Sequence, residues 1–226
     1  MAPLILFIED DERIRTVLSL SLQRDGFAVA EAGSGEEGLA AFEARPPDVV
    51  LVDLRLPGID GFEVTRALRR ASNVPIIIVT AHGDSHDVVA GLEAGADDYV
   101  VKPVVAKVLA ARVRALLRRV SVGEQTTTVV RVGDLEIHRE ANVVVRDGIE
   151  LPLTRTEYKV LCALAEHPGW VLTRTQLLEQ VWEYDYFGDE RLVDTHIGRL
   201  RSKVERDPSK PELIVTVRGA GYKLAT

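Results

Sequence analysis

Five short apolar runs punctuate the first half of the chain: Leu4 to Ile8, Ala28 to Ala32, Val49 to Val52, Ile76 to Val79 and Tyr99 to Val101. A helical pattern separates each from the next. Runs this short and this free of polar interruption suit strands buried on both faces. Strands joined through helices run parallel, so the pattern predicts an α/β fold with a doubly wound, five-stranded parallel sheet. The last helix of this half carries an apolar stripe at Val105, Leu109, Val113, Leu116 and Val120 and ends near Arg118-Arg119. The segment Ser121 to Thr128 is small, polar and without period, which reads as a linker. At 226 residues the chain has room for a second domain. The expected division is therefore 1–120, a linker at 121–128, and 129–226.

Past the linker the texture changes. Val129 to Val132, Leu135 to His138, Val143 to Val145 and Glu150 to Leu151 read as a small antiparallel sheet, with Asp147-Gly148 as a hairpin turn. Three helical patterns follow, Thr154 to Glu166, Thr173 to Val181 and Arg191 to Arg206. The first two open on Thr with Glu157 or Gln176 three residues later, the capping-box spacing. The chain closes on Leu213 to Arg218, Gly219-Ala220-Gly221 and Tyr222 to Ala225, a hairpin pattern. Three helices and a hairpin predict a small α+β winged helix-turn-helix.

Several function classes fall away on composition. The longest apolar runs stop far short of the about 18 residues that span a bilayer, so no membrane insertion is expected. The N-terminal apolar run meets Glu9, Asp10, Asp11 and Glu12 directly, unlike a signal peptide. A single cysteine, Cys162, fits a reducing, cytoplasmic setting. With 28 Lys and Arg against 35 Asp and Glu, the net charge of −7 opposes nucleic-acid binding by the chain as a whole. Between Arg191 and Lys223, however, eight bases face four acids, a local +4.

Four of the five strands hand over at their carboxyl ends to residues capable of chemistry: Glu9-Asp10, Asp53, Thr80 and Lys102. In open α/β sheets this edge binds ligands. Singly, each has an ordinary reading as a cap, turn or solvated residue. Together they place three carboxylates beside one hydroxyl and one ammonium. Clustered carboxylates repel one another unless a cation joins them, and this hard oxygen set suits Mg²⁺, with Mn²⁺ as a substitute. With a metal at Glu9, Asp10 and Asp53, an aspartate can attack phosphorus while Lys102 and Thr80 contact the phosphoryl oxygens. The product is an aspartyl phosphate.

These residues resemble the receiver domain of two-component response regulators, a flavodoxin-like fold. The matching motifs are Glu9-Asp10-Asp11, Asp53-Leu54-Arg55-Leu56-Pro57-Gly58-Ile59-Asp60-Gly61, Val79-Thr80-Ala81, Gly95-Ala96-Asp97-Asp98-Tyr99 and Lys102-Pro103. The resemblance implies that Asp53 accepts a phosphoryl group from a sensor histidine kinase, and that Glu9, Asp10, Asp53 and the Arg55 backbone carbonyl hold Mg²⁺. It further implies that Thr80 and Tyr99 turn inward on phosphorylation and that Lys102-Pro103 can be cis. A competing pattern, Gly33-Ser34-Gly35-Glu36-Glu37-Gly38, fits a dinucleotide fingerprint. It follows the second strand rather than the first, and Glu31, Glu36 and Glu37 oppose a pyrophosphate, so Gly33 and Ser34 read as a turn and N-cap.

On a wheel for Arg191 to Arg206, Val193, Ile197, Leu200 and Val204 fall within about 60° of one another and form the core face. Arg191, Thr195, Gly198, Arg199, Ser202 and Arg206 lie opposite, with His196 and Lys203 on one flank and Arg201 on the other. Such a helix can enter the major groove. This half resembles the winged-helix output domain of the OmpR/PhoB subfamily, through Leu153-Thr154-Arg155-Thr156-Glu157-Tyr158, Val193-Asp194-Thr195-His196-Ile197, Arg199-Leu200-Arg201-Ser202-Lys203 and Thr216-Val217-Arg218-Gly219-Ala220-Gly221-Tyr222. By resemblance Arg191, Thr195, Gly198 and Arg199 face bases. His196, Arg201, Thr216, Arg218 and Tyr222 face phosphates or the minor groove, and Lys203 joins the DNA-facing set. Trp182 and Tyr184 to Phe187 read as packing residues or an RNA polymerase contact.

The resemblance also implies a homodimer on phosphorylation, through the fourth helix, fifth strand and fifth helix, with cross-subunit pairs Asp98 with Arg112 and Asp97 with Arg119. Val88 and Val108 stand where the subfamily usually carries a third ion pair, so a small apolar contact is expected there. The expected activity is thus a phosphorylation-activated regulator of promoter DNA. Two alternatives stay open: a metal-dependent phosphohydrolase using Asp53, which Arg55 disfavours because haloacid-dehalogenase-like hydrolases place a second Asp there, and a DNA binder that is never phosphorylated.

Overall fold

The computed structural model describes residues 2–81, 84–118, 129–182 and 190–225. Its contacts divide the chain into two compact units, Met1–Leu117 and Arg118–Thr226.

The first unit alternates strand and helix throughout: β1 (Leu4–Ile8), α1 (Glu12–Arg24), β2 (Ala28–Ala32), α2 (Gly35–Ala44), β3 (Val49–Val52), α3 (Gly61–Ala71), β4 (Ile76–Thr80), α4 (Ser85–Ala94), β5 (Asp98–Val101) and α5 (Ala106–Leu117). All five strands are parallel, in the order β2-β1-β3-β4-β5. Polar side chains start the helices. Asp11 caps α1, Ser34 caps α2, Asp60 caps α3 and Asp84 caps α4, each accepting backbone N–H bonds that the helix cannot satisfy itself. One face of the sheet packs Ile5, Phe7, Leu51, Ile77 and Val79 against Leu18 and Leu22 of α1 and Leu109, Val113 and Leu116 of α5. Each such burial contributes about 1.5 to 3 kcal/mol. Val105 departs from the expected stripe: it precedes the first turn of α5 and is exposed. Val120 and the expected linker at 121–128 lie outside the described residues.

The second unit opens with β6 (Val129–Val132), β7 (Leu135–His138), β8 (Val143–Arg146) and β9 (Ile149–Glu150), an antiparallel sheet. Between β8 and β9, Asp147 and Gly148 both adopt positive φ, 51° and 79°, as a tight hairpin turn requires. Three helices follow, α6 (Arg155–Glu166), α7 (Arg174–Trp182) and α8 (Arg191–Val204), and then a hairpin of β10 (Ile214–Val217) and β11 (Gly221–Leu224). Both capping boxes form, Thr154 with Glu157 and Thr173 with Gln176. Leu161, Leu164, Leu177, Trp182, Val193, Ile197, Leu200 and Leu224 are buried, so all three helices and the hairpin share one core. This is a winged helix.

Candidate functional site

The parallel order brings the carboxyl ends of β1, β3, β4 and β5 to one edge of the first unit. There Glu9, Asp10 and Asp53 each offer a carboxylate oxygen within 4.8 Å of the others, with Glu9 and Asp53 buried and Asp10 exposed. Asp53 is held to β1 by its own N–H, which donates to Ile8 O at 3.0 Å. Lys102 Nζ lies 2.6 Å from Asp53 Oδ2 and 2.7 and 2.9 Å from the Glu9 oxygens. Burial pushes the Glu9 carboxyl up, and the hydrogen bond and charge of Lys102 only partly offset this. For Lys102 burial acts downward, but hydrogen bonds to Asp53 and Glu9 and their charges outweigh it, so the ammonium is held above its ordinary value.

Asp53 Oδ1 accepts from Arg55 N–H at 3.2 Å, which fixes the turn that carries both residues. The Lys102–Pro103 peptide is cis. Thr80 is buried at the last position of β4. Tyr99 is also buried, and its phenol is pushed up by burial and then by the charges of Asp87, Asp84 and Asp53. Carboxylate oxygens alone form a hard donor set, which fits a divalent cation such as Mg²⁺.

The fingerprint-like glycine segment forms no phosphate cradle. Ser34 Oγ accepts from Glu37 N–H at 3.2 Å, while Glu37 Oε2 accepts from Gly33 N–H at 2.7 Å. The helix N-terminus is filled by its own acid. Gly38 is there for packing, since a Cβ would stand 2.3 Å from Ile8 Cδ1.

On α8 the core face is the expected one, and Gly198 is exposed while Arg191, Thr195 and Arg199 are half-buried. The wing exposes Thr216 on β10 and Arg218 in the turn that follows. Three residues expected to contact DNA are engaged within the chain. His196 is fully buried and packs tilted on Trp182, ring centroids 5.4 Å apart, because α7 covers that flank of the helix. Lys203 Nζ donates to Pro152 O at 2.8 Å and Glu157 Oε2 at 2.7 Å, as counter-charge to a buried capping carboxylate. Tyr222 is buried too: its hydroxyl donates to Asp194 Oδ1 at 2.7 Å and accepts from Arg174 at 3.2 Å. Arg201 ties α8 to the wing, donating to Ile214 O at 2.6 Å and Thr216 Oγ1 at 2.8 Å.

Residues 5–114 match the response regulator receiver domain, and residues 148–224 match the C-terminal domain of transcriptional regulatory proteins. The transcriptional regulatory protein AfsQ1 of Streptomyces coelicolor is 55% identical over 223 residues, covering 98% of both chains. The DNA-binding response regulator MtrA of Mycolicibacterium smegmatis is 48% identical, over 97% of this chain and 95% of that one. Among solved structures, the response regulator DrrB of Thermotoga maritima, described as an OmpR/PhoB homolog, aligns over 100% of both chains at 34% identity and a TM-score of 0.54. The chain belongs to the OmpR/PhoB family of response regulators. It is a phosphorylation-dependent transcriptional regulator, with a histidine kinase and promoter DNA as its implied partners. A mutant of RitR aligns over 99% of both chains with a TM-score of 0.73 and 29% identity. Among the described residues, no helix is long and apolar enough to cross a membrane.

Residues expected at the regulator's dimer face have partners within the chain. Asp98 is fully buried and paired with Arg112 of its own chain, both oxygens 2.9 Å from Arg112 Nη1. Asp97 is also fully buried, 2.6 Å from Arg69 and 2.9 Å from Ile76 N. That acid sits inside the chain and holds the first N–H of β4. Arg119 lies outside the described residues. Val88 is buried in its own unit, whereas Val108 is 46% exposed. Sequence patterns do not point to Arg69 or Arg174, because their partners lie 20 or more residues away and share no helix or strand period with them.

Tyr222 yields a test of the wing's anchoring. Burial, and then the hydrogen bond and charge of Asp194, raise its phenol from 10 to about 12. A raised acid binds its proton more tightly in the native state, so stability is intact below pH 10 and falls as pH rises from 10 towards 12. Thermal melts between pH 9 and 12 are expected to show this loss in the parent and less of it in Tyr222→Phe. Identical slopes would remove Tyr222 from the anchoring.

Proposed function

We propose that Asp53 is the phosphoacceptor and that the receiver itself catalyses its phosphorylation. A carboxylate oxygen of Asp53 forms a bond to phosphorus as the P–N bond of a kinase phosphohistidine breaks, the electron pair leaving with the imidazole nitrogen. Glu9, Asp10, Asp53 and the Arg55 carbonyl are the residues that would hold Mg²⁺, which when bound neutralises the carboxylates and the charge on the phosphoryl oxygens. Lys102 moves from a carboxylate pair to a phosphoryl oxygen, and Thr80, one strand over, supplies a hydroxyl. Tyr99 follows Thr80 as the second switch residue.

The observation that carries this reading is the Lys102 ammonium set between buried Asp53 and Glu9, with Asp10 beside them at the sheet edge. Phosphorylation biases the receiver toward a homodimer, and the dimer binds promoter half-sites through Arg191, Thr195, Arg199 and Arg218, with RNA polymerase as a further partner. The regulator works in the cytoplasm, with a receiver at 1–120, a linker at 121–128 and an output domain at 129–226. Dimerisation would use the face of α4, β5 and α5, where Val108 is exposed and the Asp98–Arg112 pair would have to exchange partners.

A phosphate-affinity gel with a small-molecule phosphoryl donor tests the first step. The parent is expected to shift only with Mg²⁺ present, and Asp53→Asn not at all. A folded parent that never shifts would leave a DNA binder without a phosphorylation switch.

A further inference from the structure

We propose that Arg15 is a positioning residue for the divalent cation, holding the loop that carries Glu9 and Asp10 from behind. The inference rests on the acidic site being a cation site. The pairing of β1 with its neighbours ends at Ile8, so the backbone that follows carries two of the three carboxylates beyond the ladder. Glu9 N–H still donates to Ala32 O at 3.0 Å, which ties one side of that loop to the end of β2. The other side is tied by Arg15. Its Nη1 donates to the carbonyl of Glu9 at 2.5 Å and to that of Asp10 at 3.3 Å.

The side chain reaches there because helical side chains lean toward the helix N-terminus. Arg15 sits in the first turns of α1, its own N–H donating to Asp11 O at 2.9 Å. The guanidinium is itself braced. Arg15 Nε lies 3.5 Å from Glu31 Oε2 on β2. The Arg15 side chain is 18% exposed, so it works as part of the wall of the site rather than as a solvated charge.

Two effects of removing it oppose each other. Losing a nearby positive charge favours cation binding. Losing the two carbonyl bonds frees the Glu9–Asp10 peptide and loosens the donor set. Residues that orient metal ligands from outside typically matter by about 10- to 100-fold in affinity, more than one partly screened charge near the surface supplies. Positioning therefore wins.

Mn²⁺ binding to the full chain, followed by the electron paramagnetic resonance signal of the free ion, separates the possibilities. Arg15→Met is expected to weaken Mn²⁺ about 10-fold or more with unchanged far-ultraviolet circular dichroism. Arg15→Lys, which keeps the charge and loses the planar fork, is expected to fall between Met and parent. Equal or tighter binding by a folded Arg15→Met, or by Arg15→Lys should the Met variant fail to fold, would overturn the proposal. Asp10→Asn is the control for the site itself: if the parent binds no Mn²⁺ beyond that variant, the cation site fails, and the role of Arg15 with it.

Discussion

Lys102→Met is expected to lose phosphorylation, by about 100-fold or more, while its affinity for divalent cations rises. The ammonium does two jobs that conflict. It lies 2.6 to 2.9 Å from oxygens of Asp53 and Glu9 and is the internal counter-charge for both. It therefore competes with an entering divalent ion. During phosphoryl transfer it is the side chain placed to meet charge growing on the transferred group, a contact Met cannot make. Removing it leaves two carboxylates buried with no ammonium, and stranding a buried charge costs about 3 to 5 kcal/mol. Chemical denaturation of the variant in a chelator is expected to show that loss, and added Mg²⁺ to recover more stability in the variant than in the parent. Equal stability and equal phosphorylation in parent and variant would mean that Lys102 is a bystander.

Alanine at Gly61 and alanine at Gly198 should have opposite signs. Gly61 begins α3 directly behind the phosphoacceptor turn, with its N–H donating to Leu54 O at 2.9 Å. A Cβ there would stand 2.0 Å from Asp53 O and 2.6 Å from Leu54 Cα, both backbone atoms that cannot rotate away. Either the helix retreats or the turn carrying Asp53 moves. Gly61→Ala is expected to cost about 3 kcal/mol, at the upper end for overpacking, and to slow phosphorylation even in the folded fraction. Gly198 lies on the exposed face of α8, and a Cβ there meets nothing within 4 Å. Gly198→Ala is expected to stabilise the output domain by up to about 1 kcal/mol, the helix-propensity difference. Denaturation curves of the two variants check both signs. A Gly61→Ala protein as stable and as readily phosphorylated as the parent would show that the turn is slack.

Much of the acidic site was legible because each of its residues sits where a strand ends. The lengths of five apolar runs and the parallel rule place Glu9, Asp10, Asp53, Thr80 and Lys102 at one sheet edge. The helix starts at Ser34 and Thr154 were legible for a similar reason: each side chain accepts from an N–H group three residues away. Local chemistry leaves local marks. The recognition helix was half legible. Its wheel separates core from surface correctly at Val193, Ile197, Leu200 and Val204, but it assigned His196 and Lys203 to a DNA-facing flank.

A wheel reports an angle about one axis and says nothing of what stands beside the helix. Trp182 from α7 closes over His196, and Glu157 from α6 draws in Lys203 from 46 residues away. The same holds for Asp97, which the fold gives to Arg69 across 28 residues, and for Arg15, whose grip on the Glu9 and Asp10 carbonyls exists only once α1 lies against the end of β1. By itself the sequence determined the order of elements, the edge at which chemistry gathers and the type of each output helix, since these follow from periodicity and from bonds a few residues long. The tertiary structure alone decided which charges are available to a partner and which are held inside. A side chain's neighbours depend on how separate elements pack, and burial makes a paired charge far costlier to release than a solvated one.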